Sequence, residues 1–411
     1  MRLAENSSAW EGSRLSTLGL YLSVPFCRSK CTFCNFASDV YPESKLAAYV
    51  ARLIEDLDLA RAEADVSSLV LPRAVDSIYF GGGTPSILTP ALLATLFEAI
   101  RRNFEVAAEA EITMEAAPGQ LSDETLAAAL DCGVNRFSFG VQSFVDQEAA
   151  ATGRLHTRAV SLADLARVRK AGAQASPDLN VDLIAGLPGQ TAASWRESLD
   201  VLVDSGVNHA SIYMLEVDED SRLGSEMLLG GVRYGASAAP SDDATAAMYL
   251  EACERLGAAG LAQYEISNFA RPGAGSRHNL KYWQRKPYLG VGLDASSMLR
   301  DQTGRAVRFS TTDDLDAYTD GPAAPELNRL DPAAEREEAW FLGLRTNLGV
   351  NRRALAAEFG PDAARAALVD ELHADGLIMI EGDQVSLTER GRLISNDVFE
   401  RFLEPEPVPA I

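Results

Sequence analysis

Between residues 18 and 256 the chain alternates short apolar runs with longer amphipathic ones, and that rhythm leaves few folds open. Leu18–Pro25, Val75–Phe80, Glu111–Glu115, Arg136–Gly140, Asn180–Ile184 and His209–Leu215 read as strands. Ser44–Ala64, Thr89–Asn103, Ser122–Asp131, Arg158–Ala171, Ala192–Asp204 and Asp242–Leu256 read as helices. Ser122 caps one helix, and Gly133, Gly172 and Gly206 follow the ends of others. Strands and helices that alternate through short connections build βαβ units around a parallel sheet. A full barrel, a partial barrel and a doubly wound sheet share this pattern, and periodicity alone does not separate them. In a barrel the chemistry gathers at the C-terminal ends of the strands. The polar motifs of this region all fall there or just beyond.

After about residue 300 the pattern changes. Asp313–Asp320 is acidic and Gly321–Pro325 reads as a Pro/Ala linker. Ala333–Leu344, Asn351–Phe359 and Asp362–Asp375 are helical in pattern, Leu377–Glu381 and Gln384–Leu387 form a hairpin turning at Gly382-Asp383, and Thr388–Leu403 reads as a closing helix. Helices followed by a small β wing resemble a winged-helix-like module. The expected organisation is therefore a loose tail over 1–17, a core over 18–300 and a C-terminal domain over 301–411. The proline-containing end, 404–411, reads as a second loose tail.

Three of the five cysteines lie within eight residues, Cys27, Cys31 and Cys34, spaced C-x3-C-x2-C directly after the first strand. Thiolates are soft ligands suited to iron–sulfur clusters or zinc. A closed structural zinc site takes four ligands, and Cys132 and Cys253 lie far off in helical stretches, where a free cysteine is usually a core residue. Three thiolates leave one iron of a cubane open. The competing reading is a zinc site completed by a distant histidine, or a vestigial cluster on a scaffold. The segment resembles the radical S-adenosylmethionine (SAM) superfamily signature. That resemblance implies a [4Fe–4S] cluster whose open iron is chelated by SAM, and reductive cleavage of SAM to methionine and a deoxyadenosyl radical.

A pocket for SAM would need close backbone approach and paired charges. Gly81-Gly82-Gly83-Thr84 ends the second strand, where glycines admit a ligand or merely a tight turn. Glu115, Gln142 and Asp182 sit at later strand ends, with Arg154 in the loop beyond Gln142. Carboxylates suit ribose hydroxyls and Arg suits a carboxylate. The stretches LYLSVPFC, YFGGGTPS, ITMEAAP, VNRFSFGVQSF, TGRLHT and VDLIAGLPGQT together resemble the oxygen-independent coproporphyrinogen III oxidases (HemN) and the related HemW heme chaperones. The resemblance implies a partial (β/α)6-type barrel with a C-terminal domain over its mouth. It further implies SAM contacts from Tyr21, Gly82, Gly83, Thr84, Glu115, Gln142, Arg154 and Asp182, with Phe33 packed nearby.

Two positions separate the branches. The oxidase branch carries a fourth cysteine where this chain has Phe36, and Arg277-His278-Asn279-Leu280-Lys281-Tyr282-Trp283 matches the H-N-x-x-Y-W stretch associated with heme binding in HemW proteins. His278 is accordingly the candidate heme ligand, a role that a neutral imidazole can fill. The chain also departs from the family, with Ser23 and Ser296 where histidines are usual. The resemblance thus implies a heme chaperone that passes heme to a recipient hemoprotein. Its alternative is an oxidoreductase, a coproporphyrinogen dehydrogenase that decarboxylates propionates in porphyrin biosynthesis, with an electron donor needed in either case. A net charge of −22 argues against nucleic-acid binding. No apolar run reaches membrane-spanning length. The expected location is cytoplasmic, with peripheral membrane contact left open.

Overall fold

The structure, a computed structural model, describes residues 17–172, 176–321 and 324–403. Of the expected loose tails at 1–17 and 404–411, all but Thr17 lie outside the described residues. Six parallel strands lie side by side in chain order: β1 (Leu18–Ser23), β2 (Ala74–Gly81), β3 (Glu105–Ala116), β4 (Arg136–Gln142), β5 (Asp178–Ala185) and β6 (His209–Met214). Between them run α1 (Leu46–Val66), α2 (Pro90–Asn103), α3 (Asp123–Asp131), α4 (Arg158–Ala171) and α5 (Ala192–Asp204), and α6 (Asp242–Ala258) follows β6. The two edges of the sheet do not meet. β6 pairs antiparallel with β7 (Asn268–Ala270), while β1 takes β8 (Tyr288–Val291) as a further parallel neighbour. The barrel is therefore partial.

The parallel strands do not show the continuous apolar run common in sheets buried on both faces. Leu18, Leu20, Leu22, Phe137, Phe139, Leu179, Val181 and Leu183 face the helices and join one buried cluster. Their alternate partners Ser77, Glu111, Arg136, Ser138, Asn180, Asp182 and His209 face the lumen. There they satisfy one another: Asn180 Nδ2 donates to Ser138 Oγ (2.7 Å), and His209 Nδ1 lies 2.6 Å from Asn180 Oδ1. The N-terminal end of the lumen is plugged by α7 (Arg277–Trp283). The Glu111 carboxylate accepts its first amides, from Arg277 N (2.9 Å) and His278 N (3.0 Å). Gly19 is a space requirement here, since a Cβ would stand 2.8 Å from Lys281 Cδ.

The large sheet continues past residue 300, through the antiparallel pair Ser296–Asp301 and Ala306–Ser310, so residue 300 falls inside a strand that is paired on both sides. The C-terminal part has helices Pro332–Leu344, Arg352–Phe359 and Ala363–Ala374 around a three-stranded sheet with its own core. This is the expected helical, winged-helix-like subdomain. One expectation fails. The closing helix over Thr388–Leu403 is broken into Glu389–Leu393 and Ser395–Glu400, with Ile394 out of helical geometry at φ −118°, ψ 38°. Gly391 is pressed onto the hairpin, where a Cβ would stand 2.0 Å from Leu377 O. No helix among the described residues is long and apolar enough to cross a membrane.

Candidate cofactor site

The cysteine loop leaves the C-terminal end of β1 and is tied shut at its base. Cys27 N donates to Asp39 O (2.9 Å) and Asp39 N donates to Pro25 O (3.0 Å). Two flanking segments clamp it. Thr32 N donates to Thr152 O (3.0 Å), Ser29 Oγ to Gly153 O (2.9 Å), and Leu223 N to Thr32 O (2.7 Å). Lys30 spans the loop to the carbonyls of Phe36 and Ser38. The clamps at Thr152–Gly153 and Leu223 were not foreseen from spacing, although TGRLHT had marked the first of them as a motif.

Cys27, Cys31, Phe33 and Cys34 line a cavity of about 1020 Å³ together with Gly83, Thr84, Glu115, Gln142, Arg154 and Asp182. Thr84 Oγ1 lies 3.6 Å from Cys27 Sγ. Burial pushes the Cys27 and Cys31 thiols up, and the Arg154 charge opposes this at Cys31. Glu115 accepts a 2.8 Å hydrogen bond from Tyr79 Oη, and burial pushes its carboxyl up to about 7. Asp182 is raised by burial as well, with Asn180 Nδ2 donating to Oδ1 at 2.7 Å and holding it back. Gln142 takes a left-handed backbone, φ +68°, rare for a residue with a side chain. Arg154 passes over Gly140, where a Cβ would stand 2.5 Å from Nη2, and its Nε is buried without a hydrogen-bond partner.

Tyr21 and Gly82 belong to a neighbouring cavity of about 410 Å³ with Tyr282, Trp283 and Tyr288. Ser23 and Ser296, the two departures from the family pattern, line that same cavity, and Phe36 and Ser38 border both. The glycine run owes its composition to protein neighbours. A Cβ on Gly82 (φ +86°) would meet Ser23 Oγ at 2.5 Å, and one on Gly83 would meet Val24 O at 2.5 Å.

His278 is not presented as a heme ligand. It is fully buried, its Nδ1 lies 3.0 Å from Ser77 Oγ, and its Nε2 lies 2.9 Å from Tyr282 Oη. Both ring nitrogens are thus committed. Its ring sits beneath those of Tyr79 and Tyr21, at 5.4 and 6.4 Å between centroids, on the α7 side of the lumen. Burial lowers its pKa to about 3, with the Lys281 and Arg136 charges adding to the effect. The imidazole lines neither cavity, and ligating a heme iron through it would require one of those two hydrogen bonds to break.

The donors on the large cavity fit a cluster and a zwitterionic cofactor. Three thiols face it from one loop, an orphaned guanidinium nitrogen waits for an acceptor, and two buried carboxyls stand opposite. Among the described residues no three His, Cys, Asp or Glu side chains converge on a single-ion position. A cubane does not need that convergence, since each thiolate takes its own iron.

Comparison with known proteins identifies the family. The family model described as the radical SAM superfamily matches residues 21–202, and that of the HemN C-terminal domain matches 330–394. Curated relatives named heme chaperone HemW include those of Mycobacterium tuberculosis (34% identical, covering 94% of each chain), Escherichia coli (32%, 95% of this chain and 99% of the relative) and Lactococcus lactis (31%, 93% and 96%). The solved coproporphyrinogen III oxidase HemN of Escherichia coli superimposes with a TM-score of 0.77 at 22% identity, over 95% of this chain and 90% of that one. The fold is therefore that of HemN, and [4Fe–4S] and SAM are the cofactors the family carries. The chain belongs to the HemN/HemW branch of the radical SAM superfamily.

Proposed function

We propose that Cys27, Cys31 and Cys34 hold the cluster, and that SAM lies against Gly83, Thr84, Glu115, Gln142, Arg154 and Asp182. Arg154 supplies the charge for the cofactor's carboxylate. Glu115 and Asp182 supply acceptors for its ammonium group and ribose hydroxyls, and Phe33 packs beside it. The bound cofactors bring one-electron, hydrogen-abstracting chemistry. In this reading Tyr21 and Gly82 border the site from the smaller cavity rather than touching SAM.

The protein then acts in heme or porphyrin metabolism, on a porphyrin-type macrocycle at the mouth of the same cavity. The carrying observation is its size. About 1020 Å³ lies at the upper end of what one drug-sized ligand fills, so a second molecule has room beyond SAM. Ile394, Ser395 and Asp397, exposed to the cavity by the helix break, form the far wall.

Two finer readings differ in what happens there. Oxidative decarboxylation of coproporphyrinogen III is supported by a cavity that opens onto the cysteine loop, by the HemN-type fold, and by the sealed position of His278. Heme carriage to a recipient hemoprotein is supported by Phe36 in place of a fourth cysteine and by the names of the curated relatives. Carriage asks for an iron ligand other than His278. Anaerobic turnover with coproporphyrinogen III, beside hemin titration of the reconstituted protein, separates the two. Protoporphyrinogen formation supports the enzyme, and saturable hemin binding without turnover supports the carrier.

A further inference from the structure

Arg136 lies in VNRFSFGVQSF, yet no role above uses it. Its side chain enters the lumen from β4, two residues before Ser138. Arg136 is registered with Thr113 on β3, and Ser138 with Glu115. Ser138 Oγ in turn reaches Asp182 Oδ2 at 3.4 Å. Arg136 therefore lies one inward-facing step below the Glu115–Ser138–Asp182 layer. It is 2% exposed, and its Nε is buried without a hydrogen-bond partner. A buried ion costs several kcal/mol unless nearby charge compensates. On the other side stands Glu111, whose oxygens already receive the amides of α7.

We propose that Arg136 is a positioning residue: its buried guanidinium, one layer beneath Glu115 and Asp182, favours the carboxylate forms that accept hydrogen bonds from SAM. This rests on the reading that those two carboxylates touch the cofactor. At Glu115 the Tyr79 hydrogen bond opposes burial first, and among the charges facing it Arg136 and Arg154 oppose burial while Asp182 adds to it. At Asp182 hydrogen bonds to Ser211 and Asn180 oppose burial first, and the same two arginines add to them. Arg136 itself faces Glu111, Tyr79, Tyr264 and Asp182. The lumen's histidines add no positive charge beside it: burial lowers His209, with Arg136 contributing, and burial, Lys281 and Arg136 lower His278. Arg154 is the cation that the cofactor's own carboxylate would neutralise. Arg136 keeps its charge when the site fills.

Calorimetric titration of SAM into the anaerobically reconstituted protein, at pH 7 and pH 9, tests this. Arg136→Gln should bind about fivefold more weakly than wild type at pH 7, the fall in ionised fraction when a carboxyl half-ionised there moves up by about one unit. The difference should shrink to less than about 1.5-fold at pH 9, where the carboxyl ionises unaided. Arg136→Lys should keep the wild-type profile. A loss equal at both pH values, or no loss, overturns the assignment. Glu115→Gln and Asp182→Asn guard the underlying reading: if neither weakens SAM binding, that reading fails, whereas a weak Glu115→Gln beside a wild-type-like Arg136→Gln sinks only the role of Arg136. Should Arg136→Gln not fold, infrared titration of wild type against Glu115→Gln decides. A Glu115 half-point near 7 is expected, and one above 9 contradicts a compensating cation.

Discussion

The phenol of Tyr79 donates a 2.8 Å hydrogen bond to Glu115, while its ring lies 5.4 Å from that of His278. One side chain thus joins a carboxyl of the cofactor cavity to the ring that α7 brings into the lumen. The lumen is divided at that level. Above it, carboxyls and Arg154 face a space large enough for ligands. Below it, Ser77, Glu111 and His278 are spent on holding a helix in the barrel.

Glu115 should be a liability to the cofactor-free protein. Its folded pKa of about 7 lies above its ordinary value of 4.5, so the native state keeps the proton longer than the unfolded chain. Stability therefore falls as pH rises from about 4.5 to about 7, by roughly 3 kcal/mol. Glu115→Gln, which can still accept from Tyr79, should raise the melting temperature of the apoprotein at pH 8 and lose that advantage near pH 4.5. The same variant should bind SAM weakly. Thermal unfolding at the two pH values and calorimetry check both halves.

His278 should matter to the fold before it matters to heme. His278→Ala removes two buried hydrogen bonds and opens a void, at a cost of about 2–4 kcal/mol. Urea unfolding should show that loss, while hemin affinity of the folded fraction stays within about threefold of wild type. A much larger loss of hemin affinity without destabilisation would mean that α7 opens to expose the ring.

Gly140 should be required for Arg154 rather than for β4. Alanine there would place its Cβ 2.5 Å from Arg154 Nη2. Gly140→Ala should keep its far-UV spectrum and iron content but bind SAM at least about tenfold more weakly, a change of about 1.4 kcal/mol. Unchanged affinity would remove Arg154 from the site.

Much of the frame was legible in sequence because each parallel strand and its helix are local units. α4 and α5 begin and end where their patterns do, at Arg158–Ala171 and Ala192–Asp204. What escaped depends on contacts between distant segments. β8, Tyr288–Val291, is four residues long and pairs with β1 across most of the chain, so no local period announces it. Gly82 and Gly83 looked like a cradle for a ligand, but Ser23 and Val24 already occupy the space their side chains would need. His278 carried a motif, yet no spacing could reveal that Ser77 and Tyr282 would claim both its nitrogens. The polar side chains of Arg136 and His209 gained a meaning only once the sheet curled and brought them inside the barrel.

The central claim is that the loop carrying Cys27, Cys31 and Cys34 holds a [4Fe–4S] cluster with an iron open to SAM. Electron paramagnetic resonance of the anaerobically reconstituted, dithionite-reduced protein tests it most directly. The account predicts a [4Fe–4S]+ signal that shifts when SAM is added and disappears in the Cys27→Ala, Cys31→Ala and Cys34→Ala variants. A reconstituted protein with no such signal, or with a signal that SAM leaves unchanged, would contradict it.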